Sequence, residues 1–376
     1  MVLYSYLTRK SRMSNEPQLQ FETLHEIVER AKLNLSRHLW DYLVGGTETE
    51  TTLRRNRHAL DSWGLRPRVL NDVSQVDCGV ELLGRKLRLP IILAPIGSLE
   101  SFHPGGGVSS SQAAAEFGVC HMLSSVSQPG LEEVASCADN MKIFQLYVRG
   151  GDDFVDDMAQ RAIDAGYDAF AITVDTAHYS RRERDIAKRF EKSWARRNSA
   201  NWNYQATFDW KCLERFKSKH NIPLFIKGIA TPQDAVKCVE LGVEAVYVSN
   251  HGGRQLDQGL GSCAVLPEIV DAVDKRALIV VDGSICRGTD IVKAIALGAD
   301  AVGMGRMQGY GLAAAGPAGV VRILEILEDE CSKALGLLGV NGFGELDRSY
   351  LAPAPVVTDP SALSAFPLLD VDRNPY

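Results

Sequence analysis

The 376-residue sequence lacks the patterns that mark metal centres and disulfide frameworks. Its eight cysteines are scattered without a Cys-x-x-Cys pair, and its eight histidines form no His-Glu-x-x-His cluster. Most of the cysteines fall in apolar or helical stretches, where a small buried thiol is the usual role. These absences argue against a disulfide-rich secreted protein, a zinc site and a metal-dependent mechanism, so we predict no metal.

The sequence also lacks an excess of positive charge and a long apolar run. Its formal net charge is −6 and its pI is near 5.8, so neither nucleic acid nor an anionic membrane surface is an expected partner. We find no apolar run that approaches the ~18 residues of a membrane span. The basic start, 1–13, has no apolar core of a secretory signal. We therefore expect a cytoplasmic protein without membrane insertion.

What the sequence does contain is a repeated unit, an apolar run that ends in polar residues or glycine. Helix-compatible stretches such as 153–165, 232–241 and 289–297 lie between these runs, with apolar residues three or four apart. Apolar strands that alternate with amphipathic helices predict an α/β fold, a single closed (β/α)8 TIM barrel whose strand carboxyl ends share one face. The eight runs are 89–94, 119–123, 143–148, 169–174, 223–226, 245–248, 277–281 and 301–304.

The chain is long enough to carry further elements on both sides of this barrel. We predict an N-terminal extension and helical cap over 1–85, a (β/α)8 barrel domain over 86–335 and a C-terminal segment over 336–376. The cap is expected to hold a helix pair within 24–43, a charged segment 48–57 and a strand pair within 66–89.

Two segments of the chain are predicted to be irregular. Residues 190–208 are rich in tryptophan and asparagine and follow the fourth barrel strand, so they are a candidate lid over the strand carboxyl ends. The terminal 352–376 contains five prolines. We expect this tail to be extended, and either disordered or packed on a neighbouring subunit.

The loop after the sixth run is the most informative part of the sequence. His251 and Arg254 are three residues apart in Ser-Asn-His-Gly-Gly-Arg-Gln-Leu-Asp, 249–257. An imidazole at this place can accept a proton while a guanidinium binds a carboxylate. A lone histidine after a strand is more often structural, but polar residues recur at eight strand ends, and this recurrence favours catalysis.

Five ordered motifs give the chain a family resemblance. They are Phe-Gln-Leu-Tyr-Val, Thr-Val-Asp-Thr, Arg-Arg-Glu-x-Asp-Ile, Ser-Asn-His-Gly-Gly-Arg-Gln and Arg-Gly-Thr-Asp, within about 24–350. The chain resembles the FMN-dependent α-hydroxy acid oxidases and dehydrogenases, which include glycolate oxidase, lactate oxidase and mandelate dehydrogenase. The resemblance implies FMN, a 2-hydroxy acid substrate, an electron acceptor such as oxygen or a quinone, and a homo-oligomer, with a tetramer favoured.

The resemblance also implies roles for single residues in the reaction. His251 matches the family's base, and Asp175 matches the carboxylate that orients it. Two guanidinium groups bind the substrate carboxylate in the family, and two phenols contact the substrate. The residues that match these four groups are Arg182, Arg254, Tyr42 and Tyr147.

A second set of residues matches the family's FMN-binding groups. Lys227 matches the lysine beside the flavin N1 and C2=O, where a fixed positive charge stabilises the reduced ring. Hydroxyl and amide groups match the flavin-edge and ribityl partners, and the loops after the last two strands match the phosphate site. The complete set is Pro95, Ile96, Gly97, Ser124, Gln145, Thr173, Lys227, Ser249, Asp282, Gly283, Ser284, Arg287, Gly305 and Arg306.

The chain departs from the family pattern at three places. Cys286 stands where the family has an arginine that faces the FMN phosphate, so we expect weaker FMN binding. Val126 replaces the usual tryptophan, and Ile96-Gly97 replaces the usual Thr-Ala. Both changes leave room for a bulky or aromatic substrate. An aromatic residue of the 190–208 excursion, such as Trp202 or Tyr204, would remove that room if it folded back.

Two interpretations from different classes remain open on the sequence. One is an enzyme that oxidises a 2-hydroxy acid or a related amine-bearing compound. The other is a catalytically weakened barrel that binds FMN or a phosphorylated ligand, an idea motivated by Cys286 and Ile96. Retention of His251, Asp175 and Lys227 favours the enzyme. Isomerisation is less favoured because we find neither a diphosphate pocket nor a magnesium carboxylate.

Overall fold

The computed structural model describes residues 21–189 and 203–369, and its centre is a closed barrel of eight parallel strands. Each barrel strand pairs with the next along the chain, and β11 pairs with β4 to close the ring. The predicted (β/α)8 barrel is confirmed. The strands are β1 (Trp63–Leu65), β2 (Val80–Leu82), β3 (Arg85–Leu87), β4 (Ile91–Leu93), β5 (Cys120–Ser124), β6 (Lys142–Leu146), β7 (Ala169–Thr173), β8 (Leu224–Ile229), β9 (Ala245–Val248), β10 (Leu278–Asp282), β11 (Ala301–Met304) and β12 (Leu351–Pro353).

Helices cover the outside of the barrel at the places where apolar periodicity predicts them. The three helices expected at 153–165, 232–241 and 289–297 begin and end within one residue of those bounds. The predicted cap helices are also present. The α-helices are Leu24–Asn34, Arg37–Val44, Thr51–Asp61, Gly106–Phe117, Leu131–Ser136, Asp152–Asp164, Glu183–Ala187, Asn203–Thr207, Trp210–Lys219, Pro232–Glu240, Ser262–Val273, Gly288–Ala296 and Arg306–Leu338.

A β-hairpin closes the amino-terminal end of the barrel. Strands β2 and β3 form the strand pair predicted within 66–89, and they pair in antiparallel fashion. Leu82 and Leu87 are 1% and 5% exposed and pack among the inward-facing side chains of the barrel. None of these partners lies at the carboxyl end of its strand, and they include Ile92, Met122, Ile143, Ala171, Phe225 and Val280. The open end is therefore the carboxyl end.

The helix Thr51–Asp61 joins the cap to the open end of the barrel. The sequence predicted only a charged segment here. Arg57 donates to Asp290 in two bonds of 2.7 and 2.9 Å, and to the carbonyl of Ser284 at 3.1 Å. The preceding residue, Asn56, exchanges side-chain hydrogen bonds of 2.9 and 2.7 Å with Asn250. Polar side chains of this helix thus bind the loops that follow β9 and β10.

The C-terminal tail packs against its own chain. Strand β12 pairs with β1, and Phe366 is 1% exposed. The ring centroid of Phe366 lies 5.9 Å from that of His25 and 6.4 Å from that of Tyr310. The expectation of a disordered arm is wrong for 352–369, because the tail pairs with β1 and its Phe366 packs between His25 of the cap and Tyr310, while packing on a neighbouring subunit stays a prediction. Residues 370–376 lie outside the described residues.

One helix within the described ranges is long and apolar enough to cross a membrane by length and composition. This helix, Arg306–Leu338, has a mean hydropathy of 1.3 over its most apolar window, although the sequence showed no run of that length. It bends at Ala315 and Gly316, and 67% of the apolar window is buried inside the fold. Since it packs against the helices Leu24–Asn34 and Gly106–Phe117, it is weak evidence for a membrane span.

Both predicted domain boundaries fall inside continuous elements. The boundary at 85/86 divides β3, and the boundary at 335/336 lies within the helix Arg306–Leu338. All eight cysteines lie in the described residues and are free thiols.

Asp290→Asn should lower the free energy of unfolding by about 3 kcal/mol or more, because it leaves the buried Arg57 guanidinium without its principal counter-charge. The two side chains are only 5% and 2% exposed. Asp329→Asn is the matched control, since Asp329 pairs with Lys333 on the surface and the loss should stay below about 0.5 kcal/mol. Urea unfolding measures both. Equal small losses in the two variants would contradict this account of the cap.

Candidate active site

Most of the predicted site residues meet in one cleft at the carboxyl end of the barrel. Six predicted residues lie outside its lining, namely Arg287, Asp175, Ser124, Gln145, Thr173 and Ser249, and the last four of these are 0–1% exposed. The predicted residues that do line the cleft are Tyr42, Pro95, Ile96, Gly97, Tyr147, Arg182, Lys227, His251, Arg254, Asp282, Gly283, Ser284, Gly305 and Arg306.

His251 is held by hydrogen bonds on both ring nitrogens. Its Nδ1 lies 2.9 Å from Asp175 Oδ1, and its Nε2 lies 3.2 Å from the hydroxyl of Tyr147. An ionised carboxylate accepts hydrogen bonds only, so Nδ1 carries the proton and Nε2 presents its lone pair toward Tyr147. The backbone of His251 has φ 61°, which is uncommon for a residue other than glycine. The loop thus holds the ring in one tautomer and orientation.

The surroundings keep this imidazole neutral and its partner ionised. Burial lowers the pKa of His251 below 6.5, and the negative charge of Asp175 opposes this only in part. For Asp175, burial acts to raise the pKa, but the interaction with His251, including its hydrogen bond, and the positive charge of Lys227 outweigh it, so the net shift is downward. A neutral imidazole beside a carboxylate can accept a proton at neutral pH.

The glycines of the His251 loop allow the cap to approach it closely. Gly253 has φ 75°, and a Cβ added there would lie 2.4 Å from the backbone nitrogen of Leu53 in the cap helix. Arg254 donates 2.8 Å hydrogen bonds to the carbonyls of Tyr42 and Gly45. The loop and the cap therefore form one wall of the cleft.

Two arginines create a strongly cationic region in this wall. Desolvation in the cleft lowers the pKa of Arg254 to about 10, and the like charge of Arg182 acts in the same direction. The guanidinium carbons of Arg254 and Arg182 lie 5.0 and 4.9 Å from the ring centres of Tyr42 and Tyr179. A carboxylate placed here would relieve the repulsion between the two cations.

Ser249 connects the catalytic loop to a buried ion pair. Its hydroxyl accepts from Lys227 Nζ at 2.8 Å and from the His251 N–H at 3.0 Å, and it donates to Asp282 at 2.7 Å. Lys227 and Asp282 are also 3.2 Å apart. The ammonium group is thereby fixed at the cleft surface.

A bulge in β8 places Lys227 at that position. The sequence predicted that this strand ends at residue 226, but it continues to Ile229 across a shift in register. Gly228 has φ 114°, and an added Cβ would lie 2.8 Å from the Cβ of Asp175. Only glycine allows Asp175 to pass so close to the strand.

Buried polar atoms beneath the cleft fit the edge of a flavin ring. Both amide atoms of Gln145 and the hydroxyl of Thr173 are buried, and none has a hydrogen-bond partner among the described residues. Such groups are normally satisfied. They lie at the ends of the neighbouring strands β6 and β7, beside Lys227. An isoalloxazine edge, with alternating donors and acceptors, would satisfy them.

At the phosphate end of the predicted FMN site, the prediction is wrong for one residue, Arg287. Gly283, Ser284 and Arg306 line the cleft as expected, and Arg306 donates to the carbonyls of Gly45 and Gly252 at 2.9 and 3.1 Å. Arg287 does not reach the cleft. Its guanidinium pairs with Glu330 on the outside of the barrel. The preceding residue, Cys286, lines the cleft, and adjacent residues of an extended segment point to opposite sides.

Sequence reasoning missed several residues that line the cleft. Arg149 follows Tyr147 by two positions, and this spacing in an extended segment could have indicated that both face the cleft. Phe102 stacks on Tyr42 with ring centroids 6.0 Å apart. Tyr179 and Ala362 also line the cleft, but they lie in loops whose course the sequence does not reveal.

The described part of the 190–208 excursion stays away from the cleft. Residues 203–207 form a short helix instead of the predicted irregular segment, and Gln205 anchors it through a 2.8 Å bond to the carbonyl of Thr173. Tyr204 is 41% exposed and is absent from the lining, so it does not fill the space beside Val126. Trp202 and the rest of the candidate lid, 190–202, lie outside the described residues.

Comparisons with known proteins agree with this geometry. The family model described as FMN-dependent dehydrogenase matches residues 31–353. A peroxisomal (S)-2-hydroxy-acid oxidase of Oryza sativa subsp. japonica is 40% identical over 347 residues, covering 87% of this chain and 95% of that protein. An L-lactate oxidase of Nostoc sp. is 37% identical over 354 residues, covering 87% of this chain and 97% of the relative.

Solved structures of mandelate oxidase have the same fold. One has a TM-score of 0.83 and 35% identity, and the match covers 90% of this chain and 100% of the other. Related structures of that enzyme are described with (S)-mandelic acid and with a C4a-OH-FMN adduct. The prediction of a cytoplasmic location stays a prediction, as does the predicted homo-oligomer.

Cys286→Arg should tighten FMN binding about 10- to 100-fold, since one charge-assisted hydrogen bond to the phosphate contributes roughly 1.5–3 kcal/mol. Cys286 lines the cleft and is 6% exposed. Titration of apoprotein with FMN, followed by flavin fluorescence, measures the Kd. Cys286→Met adds bulk without charge and should not tighten binding. An unchanged Kd in Cys286→Arg would mean that Ser284 or Arg306 already fills this role.

Proposed function

The chain belongs to the FMN-dependent dehydrogenase family and oxidises 2-hydroxy acids with FMN as cofactor, and from this premise we propose both its base and its substrate class. The proposed base is His251, and the proposed substrate carries a large apolar or aromatic side chain. The names of the relatives favour oxygen as the electron acceptor. The hydrogen bonds of His251 with Asp175 and Tyr147 are the single observation that best supports the proposal that His251 is the base.

His251 Nε2 is the atom proposed to accept the substrate proton. The Nδ1 hydrogen bond to Asp175 keeps the lone pair on Nε2, and the same carboxylate stabilises the imidazolium once the proton arrives. Burial raises the pKa of Tyr147, so its phenol stays protonated and can donate a hydrogen bond to the substrate.

Arg182 and Arg254 are proposed to bind the substrate carboxylate. Both guanidinium groups line the cleft that contains His251, and each lies over an aromatic ring that limits its motion. A carboxylate bound between them would bring the adjacent Cα toward the imidazole. Bound FMN supplies the acceptor for the two electrons that leave this carbon. The fixed ammonium of Lys227 stabilises negative charge at the ring edge.

The substrate side chain is proposed to occupy the region beside Val126, Gly97 and Phe102. All three line the cleft, and Phe102 offers an aromatic wall where it stacks on Tyr42. Tyr204 leaves this region free. Mandelate oxidase, the enzyme of several similar structures, is described with (S)-mandelic acid, an aromatic 2-hydroxy acid. The glycolate and lactate oxidases among the relatives define the competing substrate class, small 2-hydroxy acids.

His251→Gln should keep FMN bound but slow anaerobic flavin reduction by a factor on the order of 10² or more, as the loss of a positioned base does. Stopped-flow absorbance measures the rate, and the flavin spectrum of the purified variant reports FMN binding. His58→Gln is the control, because His58 is exposed on the cap helix and should leave the rate unchanged. Near-normal reduction in His251→Gln would remove His251 from the mechanism.

The pH dependence gives an independent test of the same base. Because burial lowers the pKa of His251 below 6.5, reduction should be fast at neutral pH and should slow as the pH falls through that pKa. Asp175→Asn removes the charge that raises this pKa. Its acid limb should therefore move to lower pH, while the plateau falls because the ring loses its orientation. If the acid limb of Asp175→Asn stays at the pH of the unmodified protein, the proposed action of Asp175 on the pKa of His251 is wrong.

The substrate class is tested by flavin reduction rates with 2-hydroxy acids of different size. Mandelate, phenyllactate and long-chain 2-hydroxy acids should reduce the flavin faster than glycolate and lactate. Val126→Trp should refill the region and reverse this order, whereas Val126→Ile is a matched control with little added bulk. Faster reduction by glycolate than by mandelate in the unmodified protein would contradict the proposed class.

A further inference from the structure

The C-terminal tail contributes to the lining of the cleft, although it follows the last residue that the family model matches. The family model ends at residue 353, yet Ala362 lines the cleft. The tail therefore gives this chain a wall that the family pattern does not describe.

A turn with its own hydrogen bonds holds Ala362 in this place. The hydroxyl of Ser364 donates to the carbonyl of Ser361 at 3.1 Å and accepts from the Ser361 N–H at 3.0 Å. The Phe366 N–H bonds to the carbonyl of Leu363 at 2.9 Å. Phe366, four residues after Ala362, is the anchor of this turn in the fold.

The anchor packs against the helix that begins with Arg306, a residue of the predicted phosphate site. Phe366 contacts Tyr310 edge to face, and Tyr310 follows Arg306 by four residues, one helical turn. The ring under the tail therefore lies one helical turn from Arg306, which lines the cleft together with Cys286.

We propose that the C-terminal segment 361–369 covers the phosphate end of the FMN site and retains the cofactor where the family uses an arginine at position 286. Cys286 contributes no charge there. The tail compensates by exclusion of water, because a guanidinium–phosphate contact to Arg306 is stronger where solvent cannot compete. Phe366 holds the cover, and Ala362 is the part of it that faces the cleft. The proposal concerns the cofactor and is independent of the substrate class.

The first test compares FMN with riboflavin, which lacks the phosphate. Phe366→Ala should raise the Kd of FMN about tenfold, equivalent to about 1.4 kcal/mol, and leave the Kd of riboflavin unchanged. Leu368→Ala is the matched control, because Leu368 belongs to the same segment but is 55% exposed. Cys286→Arg added to Phe366→Ala should restore FMN binding. Equal weakening of both flavins, or no weakening of FMN, would overturn the proposal.

The second test uses charge at Ala362 and does not depend on loss of the anchor. Ala362→Glu places a negative charge beside the phosphate and should weaken FMN but not riboflavin. Ala362→Gln has nearly the same size and should affect FMN much less. Thermal melting of the apoprotein should be equal for the two variants. If Ala362→Glu instead raises the KM of the 2-hydroxy acid and leaves the Kd of FMN unchanged, the tail covers the substrate end and the proposal is wrong.

Discussion

The buried contact between Arg57 and Asp290 is the constraint on which the site depends. Asp290 accepts hydrogen bonds from Arg57 and also from the backbone N–H groups of Cys286 and Arg287. One carboxylate therefore positions the cap helix, the loop after β10 and the start of the next helix. A buried ion pair of this kind adds little net stability against an apolar pair, but it specifies one arrangement when all its bonds are made. Here that arrangement brings the cap residue Tyr42 to the mouth of a barrel that begins nearly fifty residues later.

The catalytic loop adds a second constraint, a backbone conformation that few side chains tolerate. Three successive residues, His251 to Gly253, have positive φ. Their conformation is maintained by Ser249 from one side and by the cap helix from the other. Strain of this kind persists only where the surroundings determine it fully. The orientation of the imidazole is consequently a property of the docked cap as much as of the loop sequence.

The barrel and the centre of its site could be predicted from the sequence because both follow from local patterns. Apolar runs give the strands, and parallel strands place residues such as Asp175, Lys227 and His251 on one face. Patterns of this kind do not reveal partners that are distant in the chain. The role of Arg57 depends on a residue 233 positions away, and the direction of Arg287 depends on Glu330. The order of the tail is not predictable for a related reason, since its prolines predict an extended backbone but not the contacts of Phe366 with His25 and Tyr310.

The hairpin β2–β3 closes the amino-terminal end of the barrel. Leu82 and Leu87 occupy the floor, so within the described part of the chain the cofactor, the substrate and the oxidised product share the cleft beneath the cap. The cofactor can stay bound through many catalytic cycles, whereas the product has to leave in every cycle. A shared cleft allows both only if different parts of its rim move on different timescales. The tail turn, the His251 loop, Tyr42 and Tyr147 all contribute residues to this cleft, and under our proposal the tail turn covers the cofactor whereas the other residues contact the substrate.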